Sequence, residues 1–405
     1  MDYKAEITDP NDMASQFARK IALESHNNCP AITVRPHDAR NWRGGTGVLW
    51  AKHVLEAMLQ SHNSIGRSVM LEEMENDGAG GKPQFFTLHG SDRAFSGLGW
   101  EVIVMCDHDF WRSGRFPAYI CNQIDTKGLT PQNFRLFKAM MEGYGLALQR
   151  SGLANITGEI AICPNQITAF CDQNSPSQLI VTWGAAVVGL SHCDRLIDGY
   201  LIEPGMDIVG LLENGYRCNG GTWLTRLVLT KWGPSIDAIR NNPEAMDFIE
   251  MLTIPSVSYS SFLRVLIGWN PDASLRPPAG RVYGIAHITG GGLAKFQEAL
   301  PNGIGACLDE MPRPPEVLLQ AQRYAAEKMT LSDEAAYRTF HGGCGMMLVC
   351  HPDDTSNIIR LAHAHRHVAC HVGKTCWSPT KEIRVTSRFR AKLGTKIWPL
   401  LPDAK

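Results

Sequence analysis

Residues 284–293 read Gly-Ile-Ala-His-Ile-Thr-Gly-Gly-Gly-Leu, an apolar run that enters three consecutive glycines. The apolar part has the composition of a strand, and the residues after the glycines, Ala294 to Gln297, are compatible with the start of a helix. In such a turn, glycines let backbone N–H groups face a ligand, and the positive end of a following helix favours negative charge. The run therefore predicts either a phosphate-binding loop or a tight turn that needs glycine only for a positive φ.

Segments on both sides of this run fall into two sets of predicted strands and helices. In the first set, strands are predicted at 84–88, 101–105, 155–158 and 179–190, and helices at 15–23 and 132–143. In the second set, strands are predicted at 207–212, 285–289 and 346–350, and helices at 222–229, 314–328 and 355–367, with a loop leading into a helix over 255–266. A turn-rich break near 195–205 separates the sets. We therefore predict an α+β protein with domains over 1–198 and 199–377 and a basic, peripheral tail over 378–405.

Composition excludes several classes of protein. With 405 residues, of which 44% are hydrophobic and 20% charged, the chain has enough apolar material to fold, as two domains. The net charge of -1 argues against a nucleic-acid or anionic-membrane partner. The weakly polar run at 179–190 is too short to span a bilayer, and the polar residues 1–6 do not resemble a secretion signal, so a cytoplasmic location is expected. Twelve cysteines without a Cys-x-x-Cys pair predict reduced thiols.

Three segments in the second half carry a resemblance to a known family. They are Ala-His-Ile-Thr-Gly-Gly-Gly-Leu at 286–293, Arg-Thr-Phe-His-Gly-Gly-Cys-Gly-Met at 338–346 and Gly-Tyr-Arg-Cys-Asn-Gly-Gly at 215–221. Together they resemble the aminoimidazole ribonucleotide (AIR) synthetase family, formally phosphoribosylformylglycinamidine cyclo-ligase. The resemblance implies a two-domain AIR synthetase-like fold, with an amino-terminal mixed-sheet domain that binds ATP and forms a homodimer. It also implies a carboxy-terminal α/β sandwich domain that binds substrate.

The amino-terminal half resembles the family more faintly. Residues 105–109, Met-Cys-Asp-His-Asp, resemble the family's Met-x-x-Asn-Asp run, and residues 157–164 resemble its Gly-Gly-Glu-Thr-Ala-Glu-Met-Pro run. Residues 91–96 are aligned with its Asp-Gly-Val-Gly-Thr-Lys loop and keep only the aspartate. The cofactors implied are ATP and Mg²⁺, with Asp92, Asp109 and Glu159 as metal ligands. The predicted cofactor-binding residues are Gly44, Gly45, Gly47, Asp92, His108, Asp109 and Glu159.

The family's reaction uses ATP to activate the formyl amide oxygen of phosphoribosylformylglycinamidine, after which an amidine nitrogen closes the imidazole ring and phosphate leaves. The resemblance implies Asp109 and His287 as catalytic residues. The substrate-binding residues that it implies are Arg217, Asn219, Gly220, Thr289, Gly290, Gly291 and Gly292. Arg217 stands where the family has a histidine, so it is expected to hold a phosphate rather than to exchange protons.

Several departures keep other interpretations open. The aligned loop has no lysine, the family's second glutamate is Ile162, and its asparagine and arginine after the triple glycine are replaced by Phe296, Gln297 and Glu298. One alternative is a divergent protein that binds a phosphorylated ligand without ligase activity, and another is a different ATP-using enzyme of the same superfamily. The cluster of His363, His365, His367, Cys370 and His371 permits a zinc site but is more typical of a solvated helix.

Overall fold

The computed structural model describes residues 10–25, 27–30, 33–36, 47–50, 69–71, 75–389 and 396–400. The helices are Pro10–Ser25 (α1), Pro83–His89 (α2), Asp92–Trp111 (α3), Phe134–Ser151 (α4), Gly221–Trp232 (α5), Ile236–Arg240 (α6), Pro243–Leu252 (α7), Ser260–Ile267 (α8), Glu316–Lys328 (α9), Asp333–Thr339 (α10) and Thr355–Ala364 (α11). The strands are Thr33–Pro36 (β1), Gly47–Trp50 (β2), Val69–Leu71 (β3), Glu75–Gly78 (β4), Phe116–Thr126 (β5), Ala154–Ile162 (β6), Val181–His192 (β7), Asp207–Leu212 (β8), Val282–His287 (β9), Ile304–Leu308 (β10), Cys344–Cys350 (β11), Ala369–Trp377 (β12), Ile383–Thr386 (β13) and Lys396–Leu400 (β14). No helix among these described residues is long and apolar enough to cross a membrane.

The first sheet has the strand order β3-β7-β5-β6, and β4 also pairs with β7. Strands β5 and β6 are parallel, whereas β7 is antiparallel to its neighbours. Helices α3 and α4 pack together over this sheet through residues such as Phe95, Val102 and Met140. A Cβ atom at Gly99 would overlap the Met140 carbonyl, and one at Gly143 would overlap the Ser96 carbonyl. The two helices therefore cross with their backbones in direct contact, which glycine alone permits.

The second sheet has the order β14-β13-β10-β12-β8-β11-β9 and is covered on both faces. Alternate residues of β11 belong to different clusters: Met347 packs with the cluster that contains helices α5, α7 and α9, and Leu348 packs with α8 and α11. The second cluster also includes Phe116 and Leu190 of the first sheet. The two halves of the chain therefore share a core.

Most predicted elements are confirmed, but two predicted strands are wrong. Residues 84–88 lie in α2, and 101–105 lie in α3. Segment 101–105 is rich in β-branched residues, which favour strands on half-buried surfaces, yet here the helix is buried on nearly every side and packing overrides that preference. The helix start was visible in the sequence as Ser91, whose hydroxyl accepts a hydrogen bond from the Ala94 N–H.

The prediction of a peripheral tail from residue 378 is also wrong over its first part. Strand β13 pairs in parallel with β10, and Ile383 and Val385 are buried in the core of the second half. The predicted division at 198/199 falls between β7 and β8 and stays a prediction. The cysteine side chains that the structure describes are free thiols.

A buried acid joins α3 to α8. Asp107 accepts a hydrogen bond from Ser260, and burial raises the pKa of Asp107 to about 7. Because the ordinary value is 3.8, ionisation of Asp107 opposes folding progressively from about pH 4 to pH 7, and the full cost remains above pH 7. We expect Asp107→Asn to raise the free energy of unfolding, by on the order of 3 kcal/mol at pH 8 and by much less at pH 4. Urea unfolding at the two pH values measures this.

The matched control is Asp247→Asn, which makes the same change at an exposed position of α7. A stability gain for Asp107→Asn that is equal at pH 4 and pH 8 would contradict the expectation.

Candidate functional site

Three buried polar side chains and the partly buried Asp109 meet between the two halves of the chain. His108 and Asp109 lie in the last turn of α3, His287 ends β9, and Arg217 lies in the loop between β8 and α5. His287 is placed there by the pairing of β9 with β11, opposite Met346. The site therefore depends on both halves of the chain.

The hydrogen bonds of His287 fix its protonation. Arg217 Nη2 lies 2.6 Å from His287 Nε2, and because a guanidinium can only donate, Nε2 accepts. The ring proton is then on Nδ1, which donates to Asp109 Oδ1 at 3.0 Å. Burial, followed by the charge of Arg217, holds the pKa of His287 well below its ordinary value, so the ring is neutral. Both ring nitrogens are occupied, and His287 orients Asp109 instead of donating a proton to a ligand.

The guanidinium of Arg217 also binds a second group inside the protein. Its side chain is 1% exposed and forms an ion pair with Glu213, which also accepts the Val257 N–H. The structure thus holds the Arg217 guanidinium in an internal ion pair, and its binding of a substrate phosphate stays a prediction. His108 is equally buried, and its Nε2 accepts the Tyr259 N–H at 2.9 Å, so this predicted cofactor ligand faces the core.

A second acid, Asp77, joins Asp109. It lies in β4, and its backbone carbonyl accepts a hydrogen bond at 3.4 Å from the thiol of Cys106, one turn before Asp109 on α3. Burial, and then the charge of Asp109, raise the pKa of Asp77. Burial likewise raises the pKa of Asp109, against the lowering effect of Arg112 and Lys295. Within the described part of the chain, no basic side chain lies within 4 Å of the Asp77 carboxylate. A bound cation would therefore stabilise the negative charge of the acid pair, Asp77 and Asp109.

The predicted metal ligands Asp92, Asp109 and Glu159 do not converge in one chain. Asp92 begins α3 and pairs with Arg135, and Asp109 lies 17 positions further along the same helix, which separates the two by about 26 Å. Glu159 is exposed on β6. Across the sheet it is aligned with Gly78 of β4, the neighbour of Asp77, and strands β5 and β7 lie between them. The three strand spacings separate Glu159 from Gly78 by about 14 Å. No group of three or more His, Cys, Asp or Glu side chains among the described residues is arranged to hold a metal ion.

The glycine turn is open to solvent. Gly290 and Gly291 are exposed, and Gly291 has a φ of +86° with no atom within 4 Å of where a Cβ would stand. A 3-10 helix, Gly292–Ala299, follows instead of the α-helix start that the sequence suggested. Lys295 Nζ donates to Thr289 Oγ1 at 2.7 Å, which ties the turn to the side of this helix.

The other predicted substrate-binding residues divide into two groups. Asn219 faces the turn, because a Cβ at Gly290 would lie 3.4 Å from its Oδ1. Gly220 packs against Phe340, and Gly292 packs against the backbone of 337–340, so both serve close packing. The predicted residues Gly44 and Gly45 lie outside the described residues, and Gly47 begins β2.

Comparisons with known proteins agree with this architecture. The family model described as "AIR synthase related protein, C-terminal domain" matches residues 270–386. Phosphoribosylformylglycinamidine cyclo-ligase of Synechococcus sp. (strain CC9902) is 26% identical over 314 residues, which cover 76% of this chain and 81% of that protein. The enzyme of the same name from Geobacter sulfurreducens is 28% identical over 269 residues, which cover 65% of this chain and 69% of that protein. The chain is therefore similar to the AIR synthetase family, and the family model matches its carboxy-terminal part.

Solved structures show the same fold. The crystal structure of E. coli HypE superposes with a TM-score of 0.56 at 15% identity, over 96% of this chain and 98% of HypE. The crystal structure of the hydrogenase maturation protein HypE in complex with ATP gives a TM-score of 0.51 at 13% identity, over 86% of this chain and 90% of HypE. The prediction of a two-sheet, α+β, AIR synthetase-like fold is confirmed.

The position of Asp77 corrects the alignment of this AIR synthetase-like chain. Residues 77–82 read Asp-Gly-Ala-Gly-Gly-Lys and match four of the six letters of the family's Asp-Gly-Val-Gly-Thr-Lys loop, whereas residues 91–96 match one. The signal was present in the sequence, and a letter-by-letter comparison of this run would have found both Asp77 and the lysine.

Lys82, the lysine of this loop, nevertheless binds other groups inside the protein. Lys82 is fully buried, bonded at 2.6 Å to both Glu101 Oε1 and the Ile254 carbonyl. Glu101 also accepts the backbone N–H and the hydroxyl of Ser256. In this AIR synthetase-like protein, the pair anchors the Asp77 loop to the carboxy-terminal half.

Proposed function

We propose that this chain catalyses the ATP-dependent cyclisation of phosphoribosylformylglycinamidine to aminoimidazole ribonucleotide, releasing ADP and phosphate. The observation that carries the proposal is the pairing of Asp77 with Asp109 beside an exposed glycine turn. Phosphoryl transfer depends on positioning and charge neutralisation, and this arrangement offers carboxylates for a cation next to backbone amides for an anion. The names of the curated relatives support the same reaction.

The residues fit a magnesium–ATP group. Asp77 and Asp109 would hold Mg²⁺, which commonly takes one or two carboxylates together with substrate phosphates. When bound, the ion neutralises phosphate charge. The raised pKa of both acids supports this assignment, because a nearby cation relieves the same cost of burial and repulsion that raises them. The solved complex of HypE with ATP supports a nucleotide in this fold.

The chain's own groups then act by orientation. His287 holds Asp109 through Oδ1, which leaves Oδ2 for a ligand, and Arg217 holds His287 in the required tautomer. The amides of Gly290 and Gly291, with Asn219 opposite, would orient the substrate so that its formyl oxygen meets the γ-phosphate of ATP. The amidine nitrogen then attacks the activated carbon and phosphate departs, which closes the ring.

We place the nucleotide in the segment 1–198 and the substrate mainly in 199–377, and we propose a homodimer formed through the amino-terminal sheets. The similarity to the AIR synthetase family supports both assignments.

A second candidate function has specific support. Lys82 and Arg217 are sequestered by buried carboxylates, and Ile162 replaces a family glutamate. These features favour a protein that binds a phosphorylated ligand without ligation.

A coupled assay for ADP release with phosphoribosylformylglycinamidine tests the proposal, using Asp77→Asn and Asp92→Asn as a matched pair. We expect substrate-dependent ADP release by the wild type, a loss of about 100-fold or more in Asp77→Asn because a metal ligand is removed, and a change under about threefold in exposed Asp92→Asn. Nucleotide binding without turnover by the wild type would favour the second candidate. An equal loss in both variants would contradict the assignment of Asp77.

A further inference from the structure

A pocket opens beside His287. It lies between the end of α3, the segment that follows β7, strand β9 and the 3-10 helix after the glycine turn. Its polar lining comes from Arg112, Ser113, Asp198, His287, Lys295 and Glu298. Neither Asp77 nor Asp109 lines it, so the pocket adjoins the proposed metal position without including it.

Two cations, Arg112 and Lys295, line this pocket. Among the residues that the structure describes, no carboxylate lies within 4 Å of Lys295 Nζ, whose hydrogen-bond partner is the uncharged Thr289 hydroxyl. Arg112 Nη1 lies 3.5 Å from Glu298, but that carboxylate is 62% exposed, and such surface pairs contribute little. Arg112 Nε lies 3.6 Å from Asp109 Oδ1.

The charges of both cations act on the same two groups, Asp109 and His287. The charges of Arg112 and Lys295 lower the pKa of Asp109 and also that of His287, although burial is the largest influence on each. Two basic side chains from opposite halves of the chain therefore line one pocket beside the proposed metal position. An anion bound between the two cations would be attracted by both and would offset their mutual repulsion.

We propose that Arg112 and Lys295 bind the phosphate monoester of the acceptor substrate. The inference rests on the proposed function, because it names how that site selects a phosphorylated acceptor. A guanidinium donates two parallel hydrogen bonds to a phosphate, and an ammonium adds a compact charge. The phosphates of ATP share this chemistry, but the acid pair that would hold their metal ion does not line the pocket.

The test uses the full-length protein, with Arg112→Gln, Lys295→Gln and the control Lys138→Gln. The control removes an exposed lysine of α4 that forms an ion pair with Glu142 at 3.8 Å and lies over the ring of Phe17. Isothermal titration at constant ionic strength measures binding of ribose 5-phosphate, of ribose and of ATP. We expect ribose 5-phosphate to bind the wild type more tightly than ribose, and each site variant to weaken it by about tenfold, because charge-assisted hydrogen bonds are removed. Affinity for ATP, which also shows that the variants are folded, is expected to change by less than about threefold.

Three results would overturn the inference: no preference of the wild type for ribose 5-phosphate over ribose, unchanged affinity in both site variants, or an equal loss of ATP affinity. Binding is measured without turnover, so the two proposals can fail separately. If ribose 5-phosphate binds and the site variants weaken it, but no ADP is released in the coupled assay, only the proposed ligase activity is contradicted.

Discussion

Replacement of Asp109 by asparagine is expected to lower kcat for substrate-dependent ADP release by about 10³-fold. Asparagine keeps an oxygen that can accept the hydrogen bond from His287 Nδ1, so the geometry of the site is retained. The negative charge of one of the two acids is lost, however, and with it the attraction for a cation on the phosphates. The coupled ADP assay measures the loss, and thermal unfolding verifies that the variant is folded.

Asp107→Asn is the matched control, since the same change on the same helix faces Ser260 of α8 instead of the site. We expect the control to retain activity within about threefold. A loss below about tenfold in Asp109→Asn would contradict a direct role for this carboxylate.

Arg217→Met is expected to reduce the free energy of unfolding by about 3–5 kcal/mol. The substitution keeps much of the aliphatic volume of the arginine side chain. It leaves the Glu213 carboxylate, whose side chain is 0% exposed, buried without its cationic partner. It also removes the donor to His287 Nε2, so the tautomer that orients Asp109 is no longer enforced. Urea unfolding measures the first effect, and the pH dependence of kcat measures the second.

The double variant Glu213→Gln/Arg217→Met separates the ion pair from packing. Removing the charge of Glu213 is expected to restore at least half of the lost stability, while Gln still accepts the Val257 N–H. Arg93→Met, at a side chain that is 89% exposed, should change stability by less than about 0.5 kcal/mol. Strictly additive losses in the double variant would show that the pair is not coupled.

The glycine turn after β9 could be predicted from the sequence because its signal is local. Three glycines after an apolar strand restrict the backbone to a few conformations, and the structure has Gly291 and Gly292 at positive φ. The α+β fold followed from motifs whose order along the chain was sufficient to indicate the family.

The sequence did not reveal in the same way which two acids lie together. Asp77 and Asp109 are separated by a loop and a whole helix, and their proximity depends on how α3 packs beside β4. The error at 101–105 made this harder, since a strand there would have removed the helix that carries Asp109. The internal use of Arg217 was equally inaccessible, because its partners Glu213 and His287 belong to different parts of the second sheet, and burial changes the role of the guanidinium.

The hydrogen bonds around Lys82 affect whether the chain can be divided into separate fragments. A fragment that ended at residue 198 would retain Lys82 and Glu101 but lose the Ile254 carbonyl and the Ser256 amide and hydroxyl that solvate them. It would also expose the apolar side chains of Phe116 and Leu190 to water. We therefore expect the chain to unfold as one cooperative unit, and we expect either half expressed alone to aggregate.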